Sequence, residues 1–260
     1  MEILKSQQVC QYFGGLHAVE KVDMSVEKGE IFGIIGPNGA GKTTFFNACS
    51  GINHPTSGDV YLKEQKITGM KPEQIARLGM ARTFQNIQLF RYMTVLENVK
   101  IGFHISNESN FTDALLRTKR YKAQEKSVHE SALKILEKVN LTQYKDVMAG
   151  NLAYGIQRKV EIARCLALSP EIILLDEPAA GMNPNETQEL SDFVKQLNQD
   201  GYTIVVIEHD MKFIMNLCHR IMVLNFGQKI CEGTPDEVKV SKEVHIAYFG
   251  KGMMAMDAKS

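Results

Sequence analysis

The segment over residues 36–44 constrains the fold of this 260-residue chain more than any other. It satisfies the pattern G-x-x-x-x-G-K-[ST], with an apolar run over residues 30–35 before it and a helix-forming run after it. The alternative is an ordinary glycine turn. The strand before the segment and the helix after it favour a functional loop over such a turn. The segment therefore predicts a loop that binds phosphate groups. The loop comprises Gly36, Pro37, Asn38, Gly39, Ala40, Gly41, Lys42, Thr43 and Thr44.

The chemistry of such a loop depends on its backbone. The glycines at positions 36, 39 and 41 let successive N–H groups point at phosphate oxygens, and the following helix adds its positive N-terminal end. We expect Lys42 to neutralise the β and γ phosphates of a nucleotide. We expect the Thr43 hydroxyl to coordinate Mg²⁺.

A second apolar run, over residues 172–175, ends in two acidic residues, Asp176 and Glu177. A carboxylate near a core is costly without a partner, so two of them at the end of a buried strand favour a functional role. We expect Asp176 to bind Mg²⁺ through water and Glu177 to polarise an attacking water. A solvated pair at a strand end is the structural alternative, and the phosphate loop weakens it.

The hydrophobic pattern indicates an α/β fold. Apolar runs over residues 30–35, 171–175 and 202–207 alternate with helical segments, which is typical of a mainly parallel sheet buried on both faces. The first 30 residues and a hairpin over residues 60–67 predict strands outside that sheet.

Capping signals predict two helix starts. Asn183, Pro184 and Glu186 supply an N-cap, a first-turn proline and a third-position glutamate for a helix over residues 184–200. The segment beginning at Thr234 repeats this signal. Between residues 94 and 151 strand-like runs are missing from the sequence, and one amphipathic helix face predicts an inserted helical lobe. That face comprises Val128, Ala132, Leu133, Leu136 and Val139.

Composition excludes several classes of protein. Lys and Arg number 30, as do Asp and Glu, and 44% of the residues are apolar, which excludes a disordered chain and argues against non-specific nucleic-acid binding. The longest aliphatic runs are far shorter than the roughly 18 residues that span a bilayer. With no apolar stretch of signal-peptide length at the start, we expect a cytoplasmic location. The five cysteines are expected to be free thiols, most of them buried.

Further motifs follow the phosphate loop along the chain. Gln85 lies in RTFQNIQLF, residues 151–155 read NLAYG before the helical run IQRKVEIARCLALSP, residues 180–183 read AGMN, and His209 lies in VIEHD. With these motifs in this order, the sequence over residues 2–250 resembles the nucleotide-binding subunit of an ATP-binding-cassette (ABC) transporter. The resemblance implies ATP and Mg²⁺ as cofactors.

The resemblance implies an α/β fold with a P-loop NTPase (RecA-like) core, an N-terminal antiparallel β subdomain and an inserted α-helical subdomain. It places the single domain over residues 1–250. The core would span 1–90 and 156–250, the helical subdomain about 91–155, and a disordered tail 251–260.

It also implies residue roles. Glu177 would be the catalytic base, His209 would position the γ-phosphate and the water, and Gln85 would reach both Mg²⁺ and the attacking water. Gly155 would open a helix whose N-terminus contacts the γ-phosphate held by the opposite subunit. Phe13 would stack on adenine.

Taken singly, three of these assignments have structural alternatives. Gln85 would be a surface polar residue, His209 a strand-end histidine and Phe13 a packing residue. The joint pattern favours the functional assignments. Tyr12 is the second candidate for the adenine contact.

The chain departs from the family's usual L-S-G-G-Q signature at Ala153, Tyr154 and Ile156, and Asn183 stands where the family usually has aspartate. Losing the serine removes a hydroxyl donor for the γ-phosphate, which leaves backbone N–H groups near Gly155 and the helix end. Two consequences stay open: weaker hydrolysis in a symmetric dimer, or a partner subunit with a different signature.

The strings ARTFQNIQLFRYMTVLENV, NLAYG, EIARCLA and LLDEPAAGMNPNET are similar to those of ATP-binding proteins from bacterial branched-chain amino acid importers. The resemblance implies a second ATPase subunit, identical or not, membrane permeases and, indirectly, an extracytoplasmic binding protein. It places the chain on the cytoplasmic face of the cell membrane. Urea or amide import, lipopolysaccharide export and, more remotely, a non-transport cassette in DNA repair or translation are the alternatives.

Overall fold

The computed structural model describes residues 1–103 and 118–249. Its strands are β1 (Glu2–Phe13), β2 (Leu16–Glu27), β3 (Ile31–Ile35), β4 (Ser57–Leu62), β5 (Gln65–Lys66), β6 (Met80–Arg82), β7 (Ile172–Asp176), β8 (Thr203–Ile207), β9 (Arg220–Asn225) and β10 (Gln228–Gly233). Its α-helices are α1 (Lys42–Cys49), α2 (Pro72–Arg77), α3 (Val95–Gly102), α4 (Lys119–Lys138), α5 (Tyr154–Leu166), α6 (Pro184–Gln199), α7 (Met211–Leu217), α8 (Pro235–Val240) and α9 (Lys242–Phe249).

The three apolar runs predicted as central strands lie side by side. Across the described residues the order in their sheet is β10-β9-β3-β8-β7-β6, and the pairs from β9 to β6 are all parallel. Every residue of β3, β7 and β8 is buried, because helices cover one face of the sheet and α1 with the second sheet covers the other. The carboxyl ends of these strands therefore meet at one edge, where the phosphate loop, Asp176, Glu177 and His209 lie.

Alternate residues of β3 supply two hydrophobic clusters. Ile31 and Ile35 pack with the helical side of the sheet, whereas Phe32 and Ile34 pack with α1 and the antiparallel sheet. That antiparallel sheet has the order β2-β1-β4-β5 and contains the predicted strands of the first 30 residues and the predicted hairpin over residues 60–67. The phosphate loop thus follows β3, the strand that packs into both clusters.

The predicted helix starts are confirmed. The Asn183 side chain accepts hydrogen bonds from the backbone N–H groups of Asn185 and Glu186, and Thr234 accepts one from Glu237. In the predicted lobe α3 and α4 pack together, with the side chains of Val128, Ala132 and Leu136 buried.

The predicted boundaries between the core and the helical subdomain, at residues 90/91 and 155/156, stay predictions. Helix α5 starts at Tyr154, so the second of these boundaries falls within its first turn. The predicted tail over residues 251–260 lies outside the described residues. Within the described ranges no helix is both long and apolar enough to cross a bilayer.

The cysteines are free, and four of them are buried, as expected: Cys10, Cys49, Cys165 and Cys218. Burial raises the pKa of Cys49 and of Cys165 to about 12, because the thiolate loses its solvation there. These thiols therefore act as small apolar core residues.

Candidate active site

The phosphate loop (residues 36–44) runs from the end of β3 to the start of α1, as predicted. Gly41 has a backbone φ of +94°, and a Cβ there would collide with the carbonyl oxygen of Ala18. A Cβ on Gly36 would collide with the carbonyl oxygen of Leu224. The tight path of the loop against β2 and β9 therefore requires glycine at both positions.

Lys42 is buried at the centre of this loop. Its Nζ donates hydrogen bonds to the carbonyl oxygens of Gly36 at 2.7 Å and Pro37 at 3.1 Å. Burial lowers the pKa of Lys42, while the carboxylates of Glu177 and Glu208 act in the opposite direction. The loop thus holds an ammonium group in a position suited to phosphate oxygens.

A cavity of about 390 Å³ opens beside the loop. Residues 38–44 form one side, and Leu16, His17, Glu177 and Phe226 contribute to the rest. Phe13, the predicted adenine contact, ends β1 with 51% of its surface exposed and is outside the set of described residues that line this cavity. The adenine role of Phe13 stays a prediction.

Tyr12, the second candidate for that contact, stacks on His17 with ring centroids 4.1 Å apart. The face of Tyr12 that meets His17 is therefore covered within the protein.

Asp176 lies at the end of β7 and is buried, so its carboxylate needs a partner. Arg82, on the neighbouring β6, donates from Nη2 to Asp176 Oδ2 at 2.7 Å. The Arg82 guanidinium also lies over the Phe46 ring, 4.8 Å from its centroid. Arg82 therefore compensates the buried charge, a role that the sequence did not reveal because β6 was not predicted.

Glu177 brings the predicted catalytic residues together. Its Oε2 accepts a hydrogen bond from Gln85 Nε2 at 2.9 Å and lies 3.9 Å from His209 Nδ1. Its backbone is left-handed, with φ +44°, which costs a non-glycine residue about 1–3 kcal/mol. The strained turn after β7 thus presents one carboxylate oxygen to both side chains, next to the phosphate-loop cavity.

Glu208, which precedes His209, is a site residue that the sequence reading missed. Its side chain is buried, and its two oxygens accept backbone N–H groups from Ala179 at 2.8 Å and His209 at 3.2 Å. Burial raises the pKa of Glu208, and the two backbone donors oppose that effect. Glu208 ties the end of β8 to the segment before residues 180–183. The sequence feature that could have identified Glu208 is an acidic residue directly before the predicted histidine in VIEHD.

The signature segment opens α5 as predicted. Ala153 is the N-cap residue, and Tyr154 and Gly155 begin the helix. Ala153 and Tyr154 are exposed, so α5 begins at the surface. A Cβ on Gly155 would lie 3.7 Å from the Glu186 side chain, which is ordinary contact distance, so nothing in the described packing demands glycine there.

A buried ion pair connects α5 to the Gln85 segment (residues 84–88). Arg158 donates to the carbonyl oxygens of Phe84 and Gln85, each at 2.8 Å, and to Glu161 Oε2 at 2.7 Å. Glu161 Oε1 accepts the backbone N–H of Gln88 at 3.1 Å. Both side chains of the pair are fully buried. The helix that begins with the signature therefore holds the backbone around Gln85 directly.

Tyr154, the residue that replaces the first glycine of the usual signature, joins this network. Arg158 Nη2 donates to the Tyr154 hydroxyl at 3.3 Å, and the Arg158 guanidinium lies 5.9 Å from the Tyr154 ring centroid. The substitution thus extends the contacts of the buried pair to the exposed end of α5.

Comparisons with known proteins find similar chains. A family model described as ABC transporter matches residues 19–180, more than half of the chain. The high-affinity branched-chain amino acid transport ATP-binding protein LivG of Escherichia coli is 44% identical over 250 residues, covering 96% of this chain and 98% of the relative. The corresponding protein BraF of Pseudomonas aeruginosa is 42% identical over 250 residues, with the same coverage.

A solved structure is similar over nearly the whole chain. It is the ADP conformation of an ATP-binding cassette of an ABC transporter, with 36% identity and a TM-score of 0.84, covering 96% of this chain and 100% of that one. The predicted fold class, with its parallel core, antiparallel sheet and helical insertion, is confirmed.

Proposed function

The chain belongs to the ABC transporter family, and from this premise we propose that it binds and hydrolyses ATP to energise an importer of branched-chain amino acids. The observation that carries the catalytic part is the approach of Gln85 and His209 to one oxygen of Glu177 beside the phosphate loop. The names of the relatives, at 42–44% identity, support the transported substrate.

In this proposal, phosphate binding, proton transfer and positioning are carried out by different residues of the chain. The backbone N–H groups of residues 36–44 and the Lys42 ammonium bind the phosphates of ATP. Glu177 accepts a proton from the attacking water, while Gln85 and His209 position that water and the γ-phosphate. The left-handed backbone of Glu177 fixes the direction of the carboxylate before the nucleotide arrives.

The oxygen-bearing side chains present fit Mg²⁺, a hard cation. Thr43 and Gln85 are exposed, so their side-chain oxygens could reach the ion. Asp176 is buried and its Oδ2 accepts from Arg82, so its carboxylate would act on the ion only through water. Within residues 1–103 and 118–249 no cluster of three or more His, Cys, Asp or Glu residues is suited to hold a metal alone. The ion would therefore be shared with the phosphates, whose developing negative charge it would neutralise.

We further propose that two cassettes close head to tail around two ATP molecules, the partner being identical or related. The start of α5, with the exposed Tyr154 and the half-buried Gly155, would meet the γ-phosphate bound by the opposite subunit. Ala153 offers no hydroxyl, so this contact would rest on backbone N–H groups and the helix end.

Membrane permeases are the proposed partners on the helical side. Next to the Gln85 segment, Phe90 and Tyr92 expose 52% and 93% of their surfaces, a concentration of apolar area suited to a protein partner. The Arg158–Glu161 pair holds the Gln85 segment to α5. A movement of that segment near the γ-phosphate would therefore be transmitted to the surface that carries Phe90 and Tyr92. The chain would lie on the cytoplasmic face of the cell membrane, and an extracytoplasmic binding protein would deliver the substrate to the permeases.

Uptake of radiolabelled leucine in a deletion strain tests the transported substrate. We expect deletion of the gene to lower uptake, the wild-type chain to restore it, and the Glu177→Gln chain to fail although it is produced. Unchanged leucine uptake in the deletion strain would contradict branched-chain amino acid import. A loss of urea uptake instead would identify the alternative cargo.

A further inference from the structure

The turn between β9 and β10 carries an aromatic residue in an unfavourable position. Phe226 has a φ of +45° and is followed by Gly227 with a φ of +78°. Two successive left-handed residues in a two-residue hairpin are typical of a type I′ turn, which favours Asn-Gly. A side chain as large as that of phenylalanine is disfavoured at the first of these positions.

The ring of Phe226 contributes little to the packing of the domain. Phe226 exposes 85% of its surface, more than most apolar residues among those described. The hairpin would therefore form at least as well with asparagine at this position. Strained backbone of this kind is concentrated at ligand-binding and active sites.

The position of the turn indicates which ligand. The Gly227 N–H donates to the carbonyl oxygen of Ala40, inside the phosphate loop, at 3.0 Å, and the Gly227 carbonyl accepts the N–H of Glu20 at 2.8 Å. The turn is thus tied to both the phosphate loop and β2. Phe226 lines the same cavity as residues 38–44, on which the triphosphate would lie.

The other contributors to this cavity suit a flat, apolar ligand group. Leu16, which exposes 64% of its surface, and His17 lie on the β2 side. Because residues 38–44 line this cavity, a base attached to a triphosphate in the loop would lie in or beside it. Aromatic side chains bind nucleotide bases by stacking, whatever the sequence around them.

We propose that Phe226 is a binding residue for the base of the nucleotide, holding the purine ring of ATP in the cavity beside the phosphate loop. This rests on the proposed ATP binding. It adds a second aromatic residue, outside the motifs recognised in the sequence, to the predicted adenine contact of Phe13. Phe226 provides affinity for the base and has no role in cleaving the phosphate bond.

The variant Phe226→Asn separates the two roles of the ring, because asparagine suits the turn and cannot stack. In the full chain without Mg²⁺, we expect the affinity for ATP, measured by calorimetry, to fall about fivefold or more. We expect affinity for inorganic tripolyphosphate to stay unchanged and the melting temperature of the nucleotide-free protein to rise. Phe226→Tyr, which keeps the ring, should retain ATP affinity.

Several results would overturn the inference. Unchanged ATP affinity in Phe226→Asn, or an equal loss of tripolyphosphate affinity, would show that the ring does not act on the base. A lower melting temperature would show that the ring is kept for stability. Normal ATP affinity with loss of permease binding would assign the ring to a protein contact. Failure of the wild-type chain to bind ATP would contradict the proposed function itself, which keeps the two failures distinct.

Discussion

Replacing Glu177 by glutamine is expected to lower the rate of ATP hydrolysis by about 10²-fold or more while ATP binding is retained, since general-base catalysis contributes on that scale. Glutamine keeps the size of the side chain and an oxygen near Gln85 and His209. It cannot accept the proton of the attacking water. The measurements are phosphate release and the affinity for ATP. Size-exclusion chromatography with ATP should show a closed dimer accumulating, because binding would proceed without turnover.

A matched control is Glu189→Gln, which removes an exposed carboxylate from α6, where Glu189 pairs with Lys159 at 3.2 Å. We expect this variant to hydrolyse ATP at nearly the wild-type rate, because the exposed pair contributes little. Near-normal hydrolysis by Glu177→Gln would contradict the catalytic assignment and leave Glu177 as a structural member of the turn after β7.

The predictable parts of the fold have local causes. Strands β3, β7 and β8 are buried on both faces and therefore appear in the sequence as unbroken apolar runs. Helix α6 starts where Asn183, Pro184 and Glu186 predict it, because a cap is a property of a few consecutive residues. Strand β6 spans only Met80–Arg82 and is too short for a periodic signal. Strands β9 and β10 were likewise not predicted, although the apolar run over residues 221–224 lies in β9.

The site likewise contains residues that could be predicted and residues that could not. The phosphate loop and the acids after β7 follow from short patterns, and the resemblance supplied Gln85 and His209. Arg82 reaches Asp176 only because β6 pairs with β7, a contact between residues far apart in the chain. Phe226 reaches the cavity only because the β9–β10 turn lies on the phosphate loop. A single sequence carries no signal for such long-range contacts.

The buried pair Arg158–Glu161 is expected to be the most costly polar contact to break among the described residues. Arg158→Leu should lower the free energy of unfolding by about 3–5 kcal/mol, because it leaves the Glu161 carboxylate buried without its charged partner. The double variant Arg158→Leu/Glu161→Leu should recover part of that loss, since no unpaired charge remains. Urea unfolding of the wild type, both single variants and the double variant measures the coupling.

The neighbouring residue on α5 provides the comparison. Lys159 pairs with the exposed Glu189, so Lys159→Leu should change the free energy of unfolding by less than about 1 kcal/mol. The folded double variant should still hydrolyse ATP more slowly than the wild type, because the carbonyl oxygens of Phe84 and Gln85 lose the guanidinium that holds the Gln85 segment to α5. A cost for Arg158→Leu no larger than that for Lys159→Leu would show that the pair does not stabilise the fold. Wild-type hydrolysis by the double variant would show that the Gln85 segment reaches its catalytic position without this connection.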